Sequence, residues 1–337
     1  MPLVIPLFIP HRGCPHLCLF CNQHSITAAG QEASDGAAIG STIRAWLDRS
    51  PDRRGVQAAF FGGSFTCLPR EEQERLLASV EPFLASGEIE TIRLSTRPDC
   101  IDPEISSFLF AHRVGIAELG VQSFDDRVLR ASCRGHSADD SRRAVRLLQQ
   151  AGMAVGIQLM PGLPQESHRS FIAGIRQAIA LAPAFVRLYP TVVLRHSGLA
   201  EEWRAGRYRP LSLNLAVARV ARAKEMLDAA GIPVVRMGLQ PTAELAAEVV
   251  AGPYHPAFGE LVRSRLWFTR IRRRLAMLAA GEHLTIRISH RDRSAVVGNN
   301  RTNIRRLEKL GYAGRFTLQD DLQAARGSVE YAVSQSS

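Results

Sequence analysis

Short apolar runs alternate with longer amphipathic stretches from residue 3 to about residue 236. The apolar runs predict strands near Leu3–Ile9, Val56–Phe61, Thr91–Ser95, Gly115–Val121, Val155–Met160, Phe185–Tyr189 and Pro233–Arg236. The amphipathic stretches predict helices near 38–49, 70–85, 103–112, 138–151, 167–181 and 213–230. Continuous apolar strands that alternate with helices are typical of a parallel sheet covered by helices. The pattern therefore predicts an α/β fold, a partial (β/α)6 barrel of the TIM-barrel kind.

The alternation ends near Thr242–Pro256, where proline and glycine residues interrupt it. A chain of 337 residues is longer than a usual domain of roughly 100–200 residues. We therefore expect a core barrel over residues 1–245 and a small α+β C-terminal module over residues 246–337. In this module the pattern predicts a helix over Gly259–Ala279 and a strand over Leu284–Ile288.

The net charge of the chain is concentrated in one region. The whole chain has 42 Lys and Arg against 32 Asp and Glu, an excess of +10. Residues 262–309 alone hold 13 Lys and Arg against 3 Asp and Glu, which is the same excess. Regional positive charge is expected of a surface that binds a polyanion, because phosphate contacts release counterions. The alternative is an arginine-rich face that is only solvated.

Composition excludes several classes of protein. An apolar content of 46% with 22% charged residues excludes a disordered polyelectrolyte. The sequence has no apolar run near the roughly 20 residues that span a bilayer, and its first residues lack the pattern of a secretory signal. We therefore expect a cytoplasmic protein without a membrane partner, in which disulfide bonds are improbable.

Three of the six cysteines, Cys14, Cys18 and Cys21, directly follow the first predicted strand with the spacing CxxxCxxC. Three thiolates on one loop can ligate three irons of a 4Fe-4S cluster, which leaves the fourth iron open to chelate S-adenosylmethionine (SAM). Two alternatives stay open at this point. One is a zinc site with a fourth ligand from His11, His16 or His24, and the other is a group of buried free cysteines.

The remaining cysteines, Cys67, Cys100 and Cys133, are isolated in the sequence and lack a CxxC partner. We interpret them as structural residues. A second cluster is not predicted.

A glycine motif, Gly62-Gly63-Ser64, stands at the end of the second predicted strand, one βα unit after the cysteines. Together the two motifs resemble the radical SAM superfamily, in which the glycine motif binds the methionine ammonium group. Further motifs end the later strands: Ser95-Thr96-Arg97-Pro98-Asp99, Glu118 to Phe124, Arg134-Gly135-His136, Gln158 to Pro164, and Arg187 to Thr191. This series resembles the radical domain of the Elongator catalytic-subunit family of wobble-uridine tRNA modifiers. It is more distantly similar to the oxygen-independent coproporphyrinogen oxidases and their heme-chaperone relatives.

The resemblance implies a set of cosubstrate contacts. Phe8 would lie beside the cluster, and Gly62, Gly63 and Ser64 would lie along the methionine moiety. The ribose, carboxylate and adenine would be lined by Ser95, Gln122, Arg134 and Gln158. The coproporphyrinogen oxidases usually carry an acid at the position of Gln158. For each polar residue the alternative is a capping or turn contact, and Glu118 and Tyr189 either face the substrate or pack.

The chain also departs from the Elongator-type pattern. About 90 residues follow the barrel, so we do not expect them to form the acetyltransferase domain of that family, and we do not expect its extended N-terminal RNA-binding region before the cysteine loop. The basic stretch 296–307 is similar to the GxxG loop of KH RNA-binding domains, with Arg301 in place of the second glycine; the alternative is an ordinary turn. The candidate RNA-contacting residues are Arg272, Arg273, Arg274, Arg301, Arg305 and Arg306.

The sequence as a whole predicts a radical SAM enzyme that cleaves SAM reductively and abstracts a hydrogen atom. We expect an RNA base, in tRNA, as its substrate, and flavodoxin or ferredoxin as its one-electron donor. The alternatives are an enzyme that acts on a tetrapyrrole, a heme-chaperone-like carrier, and a zinc-binding RNA protein.

Overall fold

The computed structural model describes residues 2–9, 14–22, 36–50 and 54–335. The chain divides into two compact units. The first unit comprises Met1–Ala216 and Met226–Pro256, and the second comprises Val217–Glu225 and Ala257–Ser337. In the described part of the chain, the helices are all too short or too polar to cross a membrane.

The first unit is built on a parallel sheet with the order β1-β2-β3-β4-β5-β6-β8. Its strands are β1 (Val4–Phe8), β2 (Gln57–Phe61), β3 (Thr91–Thr96), β4 (Val114–Gln122), β5 (Ala154–Leu159), β6 (Phe185–Leu188) and β8 (Val234–Met237). A separate antiparallel pair is formed by β7 (Val193–Leu194) and β9 (Val249–Ala251). The seven parallel strands curl into a half-barrel, so the predicted fold class is confirmed.

Helices connect successive strands of the sheet. They are α1 (Gly36–Arg49), α2 (Arg70–Ala78), α3 (Glu81–Ala85), α4 (Pro103–Ala111), α5 (Asp126–Ala131), α6 (Ala138–Gln150), α7 (His168–Ala180), α8 (Gly198–Arg204), α9 (Leu213–Ala229) and α10 (Ala243–Glu248). The helix expected over 70–85 is two helices. Pro82 stands at the start of α3, where its missing N–H and its ring disfavour a continuous helix.

The sheet places the ends of its strands at one edge. Because all seven strands are parallel and lie in chain order apart from the small β7, their carboxyl ends meet there. Two short 3-10 turns follow β2 and β3 at this edge, over Phe65–Cys67 and Pro98–Cys100. The register of β4 and β5 shifts between Leu119 and Gln122, and Gln122 has a φ of 66°. The motifs that the sequence places at strand ends are thus brought to one edge.

The second unit contains a mixed three-stranded sheet with the order β11-β10-β12. Its elements are α11 (Phe258–Leu275), β10 (Glu282–Ser289), α12 (Arg293–Val297), α13 (Thr302–Leu307), β11 (Phe316–Asp321) and β12 (Val329–Gln335). The strand β10 is parallel to β11 and antiparallel to β12. The apolar core of the second unit is formed by residues such as Phe268, Ile271, Leu284 and Ile286. The predicted helix and the predicted strand of the module are present as α11 and β10.

Candidate active site

The loop that carries the three cysteines lies against residues 132–135 and the end of β3. Leu19 N donates to Ser132 O at 3.1 Å, and Cys21 N donates to Cys18 O at 3.0 Å. Cys18 is buried, and its Sγ accepts a hydrogen bond from Arg134 Nη1 at 3.3 Å. Arg97 Nη1 lies 3.9 Å from the same sulfur. Two guanidinium groups therefore face the sulfur of Cys18.

Burial raises the pKa of two of the three thiols, Cys14 and Cys21. Burial raises the pKa of Cys14, with a smaller contribution from Cys18 in the same direction. Burial also raises the pKa of Cys21 to about 11, with further contributions from Cys18 and Cys14. Within the described residues no group of three His, Cys, Asp or Glu side chains is arranged around a common ion. Three sulfurs on one loop, beside two arginines, fit an anionic iron–sulfur cluster in the chemistry of their donors.

The histidines proposed as a fourth zinc ligand are placed only in part. His11 and His24 lie outside the described residues. The ring of His16 packs on Gly135, where a Cβ would come within 2.2 Å of the ring. Gly135 has a φ of 80°. This glycine therefore provides the space in which the cysteine loop approaches the segment Arg134–His136.

Arg97 is the central buried cation of this edge, with 2% of its surface exposed. Its Nε and Nη2 donate to the carboxylate of Asp99 at 3.0 and 2.9 Å. Its Nη2 also donates to Arg134 O at 2.5 Å. The carboxylate of Asp99 lies 3.7 Å from His136 Nδ1. Arg97 thus connects the end of β3 with the segment that carries Arg134.

His136 is buried in the same network and donates from Nε2 to Val121 O at 3.2 Å. Burial lowers its pKa to about 4, and the positive charges of Arg134 and Arg97 act in the same direction. The nearby carboxylate of Asp99 opposes that shift. His136 is therefore neutral at physiological pH.

The hydroxyl of Ser64 points into the protein. It accepts a hydrogen bond from Arg97 N at 3.1 Å and lies 3.4 Å from Thr96 Oγ1. It also lies 3.2 Å from Cys67 Sγ. The side chain of Ser64 therefore links the ends of β2 and β3.

A disulfide bond joins Cys67 to Cys100, contrary to the expectation that this protein lacks disulfides. The two cysteines end the 3-10 turns that follow β2 and β3. Because β2 and β3 are neighbours in the sheet, the two Cα atoms lie 5.4 Å apart, within the usual range for a disulfide. Cys133 is free and exposed.

Several candidate cosubstrate residues are brought together at the ends of β4 and β5. Gln158 Nε2 donates to Gln122 Oε1 at 3.1 Å. A Cβ on Gly120 would lie 2.9 Å from Gln122 Nε2 and 3.0 Å from Arg134 Nη2. The Nε of Arg134 has no acceptor among the described atoms. The missing side chain of Gly120 thus leaves room for Gln122 and Arg134, which brings an amide and a guanidinium together at the ends of these strands.

The glycine motif after β2 lies near Phe8. A Cβ on Gly62 would lie 3.1 Å from Ile9 O and 3.6 Å from the ring of Phe8. Phe8 is about half exposed and pairs with Phe61 across β1 and β2. Gly63 follows at the same strand end, and Ser95 pairs with Glu118 across β3 and β4. These residues share one edge of the sheet, as the motifs predict for a cosubstrate site.

A charged cluster lies on the inner face of the half-barrel. The carboxylate of Glu118 on β4 forms ion pairs with Arg93 on β3 and Arg187 on β6, each with an Nε···O distance of 2.7 Å, and it accepts a hydrogen bond from Arg187 Nη2 at 2.9 Å. Arg187 Nη1 also donates to Tyr189 Oη at 3.0 Å. Burial raises the pKa of Glu118, and the two arginines oppose this shift. Glu118 and Tyr189 therefore belong to one buried network with a net charge of one positive unit.

A cavity of about 310 Å³ opens beside the cysteine loop, at the end of β5. It is lined by Leu19, Gly162, Glu166 and Tyr208, among others. Tyr208 Oη donates to Gly162 O at 2.6 Å, and Gly162 N donates to Glu166. The cysteine loop, the loop after β5 and the segment after α8 thus shape this cavity together.

Comparison with known proteins identifies the family. The profile of the radical SAM superfamily matches residues 8–177, which is half of the chain. The chain belongs to the radical SAM superfamily. The profile of the radical SAM C-terminal domain matches residues 183–267.

Curated relatives of this radical SAM protein include a tRNA uridine(34) acetyltransferase and an Elongator complex protein 3. The chain is 33% identical over 138 residues to tRNA uridine(34) acetyltransferase of Methanocaldococcus infernus, a match that covers 40% of this chain and 26% of the relative. It is 28% identical over 265 residues to Elongator complex protein 3 of Schizosaccharomyces pombe, covering 63% of this chain and 47% of the relative. The chain therefore spans less than half the length of these two relatives.

Solved structures share the fold of this radical SAM protein. Archaeal Elp3 of Methanocaldococcus infernus, with residues 1–46 deleted, superimposes with a TM-score of 0.61 at 20% identity, covering 81% of this chain and 63% of that one. Coproporphyrinogen III oxidase from Escherichia coli superimposes with a TM-score of 0.51 at 17% identity, covering 68% and 53%. Both likenesses confirm the fold.

The predicted arginines of the second unit lie in different places. Arg272, Arg273 and Arg274 are successive residues of α11 and point about 100° apart around the helix. Arg273 pairs with Glu225, and Arg274 lies over the ring of Tyr331. Arg301 and Arg305 are exposed at α13, and Arg306 lies over the ring of Phe268. The six residues therefore do not form one patch.

Sequence reasoning missed Arg97, Asp99 and His136 as members of the site. The signal was present, since Ser95-Thr96-Arg97-Pro98-Asp99 is a polar stretch at the end of a buried strand. The roles of Arg93 and Arg187 were missed as well. Both arginines are charged residues at inward positions of otherwise apolar strands. Such a position indicates a nearby opposite charge, because a buried charge requires a partner.

Proposed function

We propose that this radical SAM protein holds a 4Fe-4S cluster through Cys14, Cys18 and Cys21 and acts on a base in RNA, with tRNA as the preferred substrate. The observation that carries the proposal is the approach of Arg134 and Arg97 to the sulfur of Cys18. Hydrogen bonds and positive charge at a ligating sulfur stabilise an anionic cluster. When bound, the cluster and SAM supply a 5′-deoxyadenosyl radical that abstracts a hydrogen atom from the substrate.

The residues around the cysteines then have distinct tasks. Gly62, Gly63 and the backbone of Ser64 hold the methionine part of SAM, beside Phe8. Arg134 holds the carboxylate, and the amides of Gln122 and Gln158, with Ser95, hold the hydroxyl groups and the adenine. Arg97 positions Arg134 by donating to its carbonyl oxygen. These contacts orient the cosubstrate at the carboxyl edge of the sheet.

Support for an RNA substrate comes from two sides. The curated relatives named above include a tRNA uridine(34) acetyltransferase. The second unit carries 18 Lys and Arg against 8 Asp and Glu, which equals the whole excess of the chain. A one-electron donor of the flavodoxin or ferredoxin kind completes the proposed system, and a cytoplasmic location agrees with a tRNA substrate.

Anaerobic reconstitution with iron and sulfide tests this proposal. Dithionite and SAM are then added, and 5′-deoxyadenosine is measured with and without bulk tRNA. We expect formation that is lost in Cys18→Ala, retained in Cys133→Ala, and increased by tRNA. The control is matched because Cys133 is a free cysteine that is exposed outside the cysteine loop.

Each other result has a clear meaning. Cysteine-dependent formation that is indifferent to tRNA would move the substrate to a small molecule such as a tetrapyrrole. No 5′-deoxyadenosine from an intact cluster would overturn the enzymatic proposal in favour of a carrier.

A further inference from the structure

The arginines of the second unit differ in what their guanidinium groups contact. Ion pairs join Arg222 and Arg273 to Glu225, Arg263 to Glu260, Arg287 to Glu330, Arg293 to Asp320, and Arg326 to Asp292. Among the described residues, Arg265, Arg272 and Arg306 have no acidic partner. We call these three residues the arginine face. The charge of the arginine face is thus not neutralised by a carboxylate of the described residues, in contrast to that of the six arginines held in ion pairs.

The three side chains of the arginine face converge. Arg265 and Arg272 are seven residues apart on α11, which is about two turns, so both lie on the same side of the helix. Phe268 lies between them, and the guanidinium carbon of Arg306 on α13 lies 4.0 Å from the centre of its ring. Desolvation, together with repulsion from Arg265 and Arg272, lowers the pKa of Arg306. The three guanidinium groups are therefore close enough to repel one another.

A buried amide holds the two helices together at this place. Asn303, one turn before Arg306, donates from Nδ2 to Ser264 Oγ at 2.9 Å and to Ser264 O at 3.1 Å. The same nitrogen also lies within hydrogen-bond distance of the carbonyl oxygens of Ala295 and Val296, at 3.2 and 3.1 Å, so its two N–H groups are shared among these acceptors. Ser264 directly precedes Arg265 on α11. The position of Arg306 relative to Arg265 is thus fixed before any ligand binds, which reduces the entropy cost of binding.

We propose that Arg265, Arg272 and Arg306 bind phosphate groups of an RNA backbone. This inference rests on the proposed function and deepens it, because it assigns the place where the RNA substrate docks. Converging guanidinium groups without acidic partners are stabilised by an anion, and the planar fork of arginine matches the oxygens of a phosphate. An anionic membrane is the competing ligand class. It is disfavoured because Phe268 is buried under Arg306 and is not available to insert into lipid.

Binding of the full-length protein to unmodified tRNA at a series of salt concentrations tests the proposal. The test variant is Arg265→Gln/Arg272→Gln/Arg306→Gln. The matched control is Arg263→Gln/Arg287→Gln/Arg293→Gln, which removes the same charge from the same unit at arginines held in ion pairs. Each phosphate contact contributes about 0.7–0.9 to the slope of log K against log salt concentration. Because the test variant removes three such contacts, the magnitude of its slope should be smaller by about 2–3. Its affinity at 0.1 M salt should fall on the order of 100-fold.

The outcomes separate the alternatives. Equal losses in the test and control variants would overturn the proposal in favour of diffuse attraction by net charge. Unchanged tRNA binding with lost binding to phosphatidylserine vesicles would overturn it in favour of a membrane. If the triple variant unfolds, the single exposed change Arg272→Gln must still lower the slope by about 1, and Arg272→Lys must retain it.

The result is also separable from the proposed enzymatic function. Formation of 5′-deoxyadenosine without tRNA is measured on the same samples and is expected to be equal in the wild type and the test variant. Its absence from the wild type would overturn the enzymatic proposal and leave the binding result standing. If the test variant still forms 5′-deoxyadenosine and binds tRNA with unaltered affinity, only the proposed role of the arginine face is overturned.

Discussion

Arg134 bridges Cys18 and Gly120: its Nη1 donates to Cys18 Sγ at 3.3 Å, and its Nη2 donates to Gly120 O at 2.7 Å. Gly120 lies on β4, and Cys18 lies in the loop after β1. One side chain therefore fixes the distance between the cysteine loop and a strand three positions away in the sheet. The same guanidinium lies where the carboxylate of SAM is proposed to bind.

Replacement of Arg134 by Gln is expected to lower the reduction potential of the reconstituted cluster. A charged hydrogen bond to a ligating sulfur favours the more negative, reduced state. A loss of about 1 kcal/mol of this preference corresponds to on the order of 40 mV for one electron. A redox titration followed by electron paramagnetic resonance measures the potential. The exposed Arg130→Gln, on α5, is the control, and equal potentials in both variants would contradict the assigned role.

Replacement of Glu118 by Gln is expected to destabilise the first unit. The change leaves two buried guanidinium groups, Arg93 and Arg187, without a counter-charge. Breaking a buried ion pair costs about 3–5 kcal/mol, whereas Glu104→Gln, which breaks the exposed pair with Arg70, should cost less than about 1 kcal/mol. Urea unfolding monitored by circular dichroism compares the two. Similar midpoints would show that the buried network contributes no net stability.

The sequence predicted the parallel strands well because each strand is a continuous apolar run that a buried sheet requires. It did not predict β11 and β12, since segments such as Phe316–Asp321 are largely exposed and mix polar with apolar residues. Nor did it predict the Cys67–Cys100 bond. Their 33-residue separation carries no signal, and their proximity arises from the pairing of β2 with β3. In the same way, the arginine face depends on contacts between α11 and α13 that no local spacing specifies.

The stability of the protein should depend on pH through His136. Its pKa is about 4 in the folded state, against 6.5 for the ordinary side chain. Between pH 4 and pH 6.5 the His136 side chain is therefore protonated in the unfolded chain but neutral in the folded chain. As a result, the free energy of unfolding falls as the pH drops from about 6.5 to 4, by up to about 3 kcal/mol. Urea unfolding across this range should show that His136→Gln loses this part of the dependence. His112→Gln should retain it; an unchanged profile in His136→Gln would contradict the assignment.

Removal of the disulfide should destabilise the protein under oxidising conditions. Cys67→Ser and Cys100→Ser open a loop with a sequence separation of 33, which is worth about 4 kcal/mol in the chain-entropy account. Unfolding in urea should show this difference without reductant, and dithiothreitol should abolish it. Cys133→Ser is the control, since that cysteine is free. A stability that reductant leaves unaltered would argue against a bond in solution.

Gly135→Ala should impair assembly of the cysteine loop. Its Cβ would come within 2.2 Å of the ring of His16, between Cys14 and Cys18. Gly206→Ala is matched, because Gly206 also has a positive φ, 73°, but no atom within 4 Å of an added Cβ. Both variants should lose about 1–2 kcal/mol from the left-handed backbone. Lower iron content after reconstitution is expected for Gly135→Ala alone, and the second change His16→Ala should restore it.

The network around Glu118 also spans several strands of the sheet. Arg93, Glu118 and Arg187 belong to β3, β4 and β6, and Glu118 reaches past Gly156 of β5, whose missing side chain leaves room for the ring of Phe185. In a flat sheet β3 and β6 would stand about 14 Å apart, yet the guanidinium of Arg93 lies 4.8 Å from the ring of Phe185. The long side chains of Arg93 and Phe185 thus meet over the intervening strands, and Glu118 joins β3 to β6 although these strands are not neighbours in the sheet. A change at Glu118 is therefore felt by three strands together, not by one.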